Sequence, residues 1–323
     1  MLGRPLSACF AALLLFSGCS GGSSAQPAPA QVPDVSTSST AAEAPVAPPS
    51  ESTAAAAAEL AFADTICAKP EMAELLGKTK SKASTTAGSV SVDGADTGLP
   101  PILNCRFGFD VTIGTALASF SAKEFKELRD GGFGTKKANA GDLAFTSDTG
   151  SATYGFALKG DKLVRAVFPG NSALRGDRKT LEKFLATAAD LGSQQAQPVV
   201  SVAPEPCAAG LGAATAALKS APPVQWGRAS ETGLACVWST DTSSLSFSGY
   251  TAEDNEVEAE GDGDELVSGV GKSAVWSKWS RLLQVQVDAS HGALVSTAEE
   301  LGKAEAVSLY QAMEDAFVQF AKA

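Results

Sequence analysis

Apolar residues recur every three to four positions in two stretches of the chain, one near residue 180 and one at the C-terminal end. This spacing places apolar side chains on one face of a helix. The apolar positions are Leu181, Phe184, Leu185, Ala188 and Leu191 in the first stretch and Leu309, Met313, Ala316, Phe317 and Phe320 in the second. Asp177 precedes the first stretch and is a good N-cap. The pattern predicts two amphipathic helices.

Short apolar runs joined by turn residues predict a pair of strands ahead of each helix. The turns are Lys159-Gly160-Asp161-Lys162 and Ser290-His291-Gly292, which have hairpin chemistry. The predicted strands are residues 152–158 with 163–168, and residues 282–287 with 293–297. Shorter helices are predicted at residues 71–77 and 211–219, and one further strand at Cys105 and another at Cys236.

Four landmarks recur at a nearly constant offset, which indicates a tandem duplication. The pairs are Cys67 with Cys207, Cys105 with Cys236, Gly141 with Gly271 and Gly160 with Gly292, at offsets of 140, 131, 130 and 132 residues. We therefore predict an α+β fold of two tandem copies, each an antiparallel sheet with flanking helices and one disulfide. The copies differ in the middle, where a capping box at Ser121 and Glu124 opens a helix in the first copy only.

Composition divides the chain into five segments. Residues 1–19 are an export signal, residues 20–59 an Ala/Pro/Ser/Thr-rich tether, residues 60–192 the first α+β domain, residues 193–206 a linker and residues 207–323 the second α+β domain. The tether has no apolar periodicity to bury, so we expect it to be disordered.

The export signal ends at a candidate lipidation site. An apolar run of about 11 residues is roughly half of the ~20 that a membrane-spanning helix needs, and it leads to Ser17-Gly18-Cys19. We predict a lipoprotein whose Cys19 receives lipid and holds the protein on the outer face of the cytoplasmic membrane. Phe16 departs from the aliphatic residue usual at that position. An ordinary signal-peptide cut after Ser23-Ser24-Ala25 is the alternative.

The cysteine count predicts disulfides. Two of the six cysteines lie in the leader and at the lipidation site, and the other four allow three pairings in an exported protein. The duplication favours one pairing, in which each copy joins its own two cysteines. The predicted disulfides are Cys67 with Cys105 and Cys207 with Cys236. Zinc binding is the rival interpretation, but Cys-x-x-Cys spacing is absent.

The formal net charge of −11 is distributed unevenly. Residues 193–323 contain 17 acidic and 7 basic side chains, whereas residues 60–192 contain 15 acidic and 17 basic ones. An acidic surface repels phosphate backbones and anionic headgroups. The charge therefore excludes nucleic acid as a partner and leaves the N-terminal lipid as the predicted membrane contact.

A cysteine before a short helix, a second cysteine followed two residues later by an aromatic residue, and a Gly-x-x-Ala turn form a recognisable combination. They lie at Cys207, at Cys236-Val237-Trp238 and at Gly271-Lys272-Ser273-Ala274, and Phe107 replaces the tryptophan in the first copy. This combination resembles a family of functionally uncharacterised lipoproteins of actinobacteria. The resemblance implies a disulfide-bonded α+β domain outside the cytoplasmic membrane, and it carries over no catalytic residue because the family has none assigned.

The sequence contains no complete catalytic or nucleotide-binding motif. His291 is the single histidine and lies in a predicted turn, where we expect an exposed residue, and no Gly-x-Ser-x-Gly elbow exists. The phosphate-loop-like run at residues 268–273 would need its first glycine at Leu266. We therefore predict neither a cofactor nor a catalytic residue.

Two features of the second copy are candidates for binding. Residues 251–265 contain eight carboxylates, of which Glu258, Asp262 and Asp264 are weak candidates for calcium ligands, but EF-hand spacing is absent and a charge run is usually a solvated loop. All four tryptophans lie in this copy. The candidate contacts with a ligand or partner are Trp276, Trp279 and Arg281, and packing of the tryptophans in the core is the competing interpretation.

These features favour a non-catalytic binding or scaffold module of the cell envelope, which would hold an envelope protein or another ligand near the membrane. A lipid or glycolipid carrier with a cavity between helices and sheet is the alternative. An envelope hydrolase that works through carboxylates is the remote one.

Overall fold

A computed structural model describes residues 61–85, 88–96, 98–195, 200–251, 257–259 and 261–322. The predicted signal, Cys19 and the tether lie outside the described residues, and so do residues 252–256 and 260 of the acidic stretch. The described residues from Ala61 onward belong to one compact unit. Within them, no helix is both long and apolar enough to cross a bilayer.

The first sheet is antiparallel. Its strands are β1 (Ser89–Asp93), β2 (Ile102–Phe107), β3 (Val111–Ala116), β4 (Lys136–Lys137), β5 (Leu143–Asp148), β6 (Ala152–Lys159) and β7 (Lys162–Pro169). They lie in the order β1-β2-β3-β7-β6-β5-β4. The helices of this part of the chain are α1 (Pro70–Gly77), α2 (Ala122–Gly131) and α3 (Arg178–Gln194).

Side chains alternate along the strands, so the two faces of the first sheet pack against different helices. On one face, α1 and α3 bury a core that includes Ile113, Phe168 and Phe184. On the other face, Phe125 of α2 packs against Phe145 and Phe156. The predicted apolar stripe of α3 is confirmed, because Leu181, Phe184, Leu185 and Ala188 are buried. The capping box predicted for α2 is also present, with Ser121 and Glu124 bonded reciprocally.

The second sheet is antiparallel except at one edge. Its strands are β8 (Ser201–Val202), β9 (Val224–Ser230), β10 (Gly233–Ser239), β11 (Ser244–Thr251), β12 (Asp264–Leu266), β13 (Ser273–Ser277), β14 (Leu282–Gln286) and β15 (His291–Thr297). They lie in the order β12-β13-β14-β15-β11-β10-β9-β8, and β8, inside the predicted linker, runs parallel to β9. Helices α4 (Leu211–Leu218) and α5 (Lys303–Ala321) cover one face, and Trp238, Tyr310, Met313 and Phe317 fill the interior.

Strands β9 to β15 follow the same spatial order as strands β1 to β7, and β8 adds an edge. The two predicted disulfides, Cys67–Cys105 and Cys207–Cys236, are confirmed. They join residues 38 and 29 positions apart, and closing loops of that length contributes roughly 3.5 to 4 kcal/mol each in the chain-entropy model. The chain is therefore an α+β protein with one disulfide beside each sheet.

The two sheets also contact each other. The backbone N–H of Ala95 donates to Ser239 Oγ at 3.0 Å, and Ser244 Oγ donates to the Ala95 carbonyl at 2.8 Å. A buried apolar cluster lies at this contact and draws residues from both sheets. Its buried members are Val92, Leu103, Val200, Val224, Trp226 and Val237. This contact covers the β9–β10 side of the second sheet.

Candidate functional site

On the face of the second sheet that points away from α5, polar and apolar side chains are mixed, and no helix among the described residues packs against it. Along β11, Leu245, Phe247 and Gly249 are buried, whereas the serines between them are half-exposed. The strand register extends this face across the sheet in two rows. One row is Ser246, Ser296, Leu282, Ser277 and Asp264, and the next is Ser248, Leu294, Gln284, Val275 and Leu266. We call this surface the serine face.

The matching face of the first sheet is closed. There the pair corresponding to Gln284 and Val275 is Phe156 and Phe145, whose ring centroids are 5.3 Å apart. Phe125 of α2 lies edge-on to Phe145 at 5.5 Å. At the corresponding place in the sequence the second sheet has the acidic stretch, and Gln284 and Val275 stand where the first sheet has the two phenylalanines. Gln284 and Leu266 of the serine face are exposed and Val275 is buried, whereas the corresponding face of the first sheet is core.

A shallow depression of about 240 Å³ lies on the serine face, near the β12 edge. Its lining combines two carboxylates, two hydroxyls and one amide with two valine side chains. The lining residues are Val257, Glu258, Asp264, Val275, Ser277, Ser280 and Gln284. Asp264 is held in place because its carboxylate accepts a hydrogen bond from the Gly261 backbone N–H at 3.2 Å. The depression thus offers several hydrogen-bond acceptors and few apolar contacts.

Trp279 lies beside this depression and is 75% exposed. It belongs to the turn between β13 and β14, next to the lining residue Ser280. The indole Nε1 donates to the Asp262 carbonyl at 2.8 Å, and the ring lies close to Gly263. Its face is therefore free while its orientation is fixed. This arrangement presents a flat apolar surface at the rim of a polar depression.

Two predicted contact residues have other roles. Trp276 is only 5% exposed and packs in the core beneath α5, so its assignment as a ligand contact was wrong. Arg281 adopts a left-handed backbone with a φ of 53°, and its Nη1 donates to the Leu301 carbonyl at 2.9 Å. That bond ties the β13–β14 turn to the segment before α5, and a ligand contact by Arg281 stays a prediction.

The calcium candidates do not form a metal site in the described part of the chain. Glu258 and Asp264 both line the depression, but Asp262 does not, and its carbonyl is occupied by Trp279. No cluster of three or more potential metal ligands occurs among the described residues. Four further carboxylates of the acidic stretch, at residues 253, 254, 256 and 260, lie outside that part.

His291 differs from the prediction of an exposed turn residue. It opens β15, its side chain is 19% exposed, and its ring lies 6.0 Å from that of Phe317. The imidazole Nδ1 is 2.8 and 2.9 Å from the carboxylate oxygens of Asp288. The Ser290 backbone N–H, above all, and the imidazole lower the pKa of Asp288. This pair locks the β14–β15 hairpin onto α5.

Two further polar contacts stabilise the surroundings of the site. Lys303 at the start of α5 pairs with Glu265 of β12, and this hydrogen bond and charge lower the pKa of Glu265. Burial, above all, and a 2.9 Å hydrogen bond to Glu314 raise the pKa of the Tyr310 hydroxyl. The edge strand that carries Asp264 is therefore fastened to the closing helix.

Comparison of the chain with profiles of known families, with curated proteins and with solved structures gave no match. The resemblance to actinobacterial lipoproteins therefore stays a prediction.

Proposed function

We propose that this chain is a lipid-anchored, exported protein of the cell envelope that binds a hydroxyl-rich ligand, a glycan segment, on its serine face without catalysing a reaction. In this proposal the two sheets are tandem copies of one ancestral unit, and the copies have divided their roles. The first copy closed its open face with α2, and the second kept that face open. The anchor is the lipid on Cys19, on the outer face of the cytoplasmic membrane.

The observation that carries the proposal is the pairing of a fixed, exposed indole with a polar depression. Sugar hydroxyls donate well to carboxylates such as Glu258 and Asp264, and Ser277, Ser280 and Gln284 can both donate and accept. A tryptophan face packs on apolar surface without needing a polar partner. Together these groups suit a ring that is polar at its edge and apolar on its face.

The size of the depression argues for one unit of a larger ligand. Its volume of about 240 Å³ lies below the range of about 300–1,000 Å³ that is usual for pockets enclosing a whole small molecule. The neighbouring serine rows extend the contact area beyond the depression. A polymer that crosses the face and places one sugar ring against Trp279 fits this arrangement.

A lipid carrier is less well supported. A carrier would need a cavity between α5 and its sheet. The space there is filled by one core, whose described residues include four side chains that are each at most 1% exposed: Trp238, Met313, Tyr310 and Phe317. An interior filled in this way leaves little room for an acyl chain.

The proposal is tested with the full-length Cys19→Ser chain, which has no lipid, on an array of cell-envelope oligosaccharides followed by calorimetry. Trp279→Ala is expected to weaken binding of the retained glycan about tenfold or more, because the stacked ring loses its apolar contact. Phe133→Ala, which removes an equally exposed aromatic ring from the other sheet, is the matched control. Absence of any retained glycan, or equal affinity in both variants, would contradict the proposal.

A further inference from the structure

Two phenylalanine side chains project into solvent at one end of the first sheet. Phe109 lies in the turn between β2 and β3 and Phe133 lies between α2 and β4, and each is 82% exposed. The strand register places both phenylalanines at the same end of the sheet. From the start of β3, beside Phe109, the pairings Thr112–Val167, Phe168–Thr153 and Thr153–Asp148 lead across the sheet to the end of β5. There the Ser147 hydroxyl donates to the Phe133 carbonyl. Four strand spacings separate β3 from β4, so the two rings are roughly 20 Å apart.

The turn that carries Phe109 is held in place. The Ser81 hydroxyl donates to Asp110 Oδ2 at 2.6 Å, and the Ala173 backbone N–H donates to Asp110 Oδ1 at 3.1 Å. Burial of a phenylalanine ring contributes about 1.5–3 kcal/mol. Insertion of both rings into a bilayer interface would therefore supply a favourable term that is absent in water.

The N-terminal segment leads to this same end. The first described residues place the Phe62 ring edge-on to Phe107 at 5.5 Å, and Phe107 is two residues before Phe109. About 40 residues separate Cys19 from this point. The lipid anchor of the proposed function would therefore connect to the folded part of the chain at this end of the sheet.

Basic side chains accompany the two rings. Lys80 and Lys82 flank the Ser81 that bonds to Asp110, Arg106 is three residues before Phe109, and Lys136 is three residues after Phe133. All four are exposed. Acidic residues also lie at this end, but the strongly acidic part of the chain is the second copy. The charge distribution thus favours this end for contact with anionic headgroups.

We propose that this end of the first sheet is a membrane-contact surface, in which Phe109 and Phe133 insert at the interface of a bilayer that contains anionic lipid. The inference rests on the lipid anchor of the proposed function, because a tether raises the local concentration enough to populate a weak contact. Docking would give the two sheets a defined orientation at the membrane.

The experiment uses the full-length Cys19→Ser chain, so that lipid cannot mask the contact. Its binding to mixed phosphatidylcholine and phosphatidylglycerol vesicles is measured by cosedimentation and compared with binding to phosphatidylcholine alone. We expect the double variant Phe109→Ser/Phe133→Ser to bind the mixed vesicles at least about tenfold more weakly. We also expect weaker binding of the parent chain when phosphatidylglycerol is omitted.

The matched control is Leu266→Ser/Trp279→Ser, which removes two side chains that are 72% and 75% exposed on the second sheet. Its vesicle binding should equal that of the parent. An equal loss in both double variants, or no loss in the phenylalanine variant, would overturn the proposal. The lipidated wild-type chain is measured in parallel. If it fails to sediment with vesicles, the anchor is wrong, while the comparison of the unlipidated variants still decides the contact surface.

Discussion

Gly263 positions Trp279 because it has no side chain. Its φ is +98°, and a Cβ built there would lie 2.5 Å from the indole Nε1. Gly263→Ala must therefore push the ring off the Asp262 carbonyl and strain the backbone, at a cost of about 1–3 kcal/mol in unfolding free energy. We expect iodide to quench the variant more strongly. Iodide reports on Trp279 because Trp226, Trp238 and Trp276 are each at most 8% exposed.

Gly269→Ala is the matched control for this change. Gly269 has a φ of +74° and no atom within 4 Å of a built Cβ, so the substitution adds backbone strain without touching the indole. Its stability should fall and its iodide quenching should stay at the wild-type level. If the two variants show the same quenching and the same glycan affinity, Gly263 has no role in orienting Trp279.

Individual side chains are where prediction from the sequence was weakest. Trp276 and Trp279 are three positions apart, and the local sequence pattern does not indicate that β13 ends between them at Ser277. Arg281 and His291 are polar residues in or next to turns, which predicts exposure, yet each is partly buried by a partner from a distant segment or a neighbouring loop. What a side chain contacts depends on tertiary packing, which local periodicity does not encode.

Helix α2 is the element that separates a closed sheet face from an open one. Phe125 is 2% exposed and packs on Phe145, so Phe125→Ala removes a ring from a filled core. We expect the unfolding free energy to fall by about 3–5 kcal/mol, measured by urea denaturation. Phe133→Ala, a change of the same chemistry at a ring 82% exposed, should alter stability by less than about 0.5 kcal/mol. Similar losses in both variants would show that α2 does not seal this face.

Several helices and the hairpin strands could be predicted closely, although most of the fifteen strands of the described residues were not predicted. The helices predicted at residues 71–77 and 211–219 are Pro70–Gly77 and Leu211–Leu218, and the predicted hairpin strands differ from β6, β7 and β14 by one residue at their ends. Local apolar spacing and turn residues decide these elements. The serine face was missed, although the alternation Ser244, Ser246 and Ser248 is a signal for it, because knowing which faces stay uncovered requires the tertiary contacts.

The contact between the two sheets packs the described residues into one compact unit. Ala95 exchanges hydrogen bonds with Ser239 and Ser244, and a buried apolar cluster lies beside them. Part of the predicted linker forms β8, which pairs with β9 at the edge of the second sheet, and Val200 beside it belongs to the same buried cluster. The orientation of the serine face relative to the Phe109 end is therefore set by packing between the sheets.

This coupling predicts that both sheets unfold in one transition. All four tryptophans lie in or next to strands of the second sheet, so their fluorescence reports on that sheet, whereas far-ultraviolet circular dichroism reports on both sheets. In the wild-type chain the two signals should give the same urea midpoint.

Val237 is 7% exposed in the cluster between the sheets, so Val237→Asp buries an unpaired carboxylate there and should separate the two midpoints. Ser296→Asp, on the exposed part of the same face, should leave them coincident. Separate midpoints in the wild-type chain, or coincident ones in Val237→Asp, would mean that the sheet contact does not couple the copies.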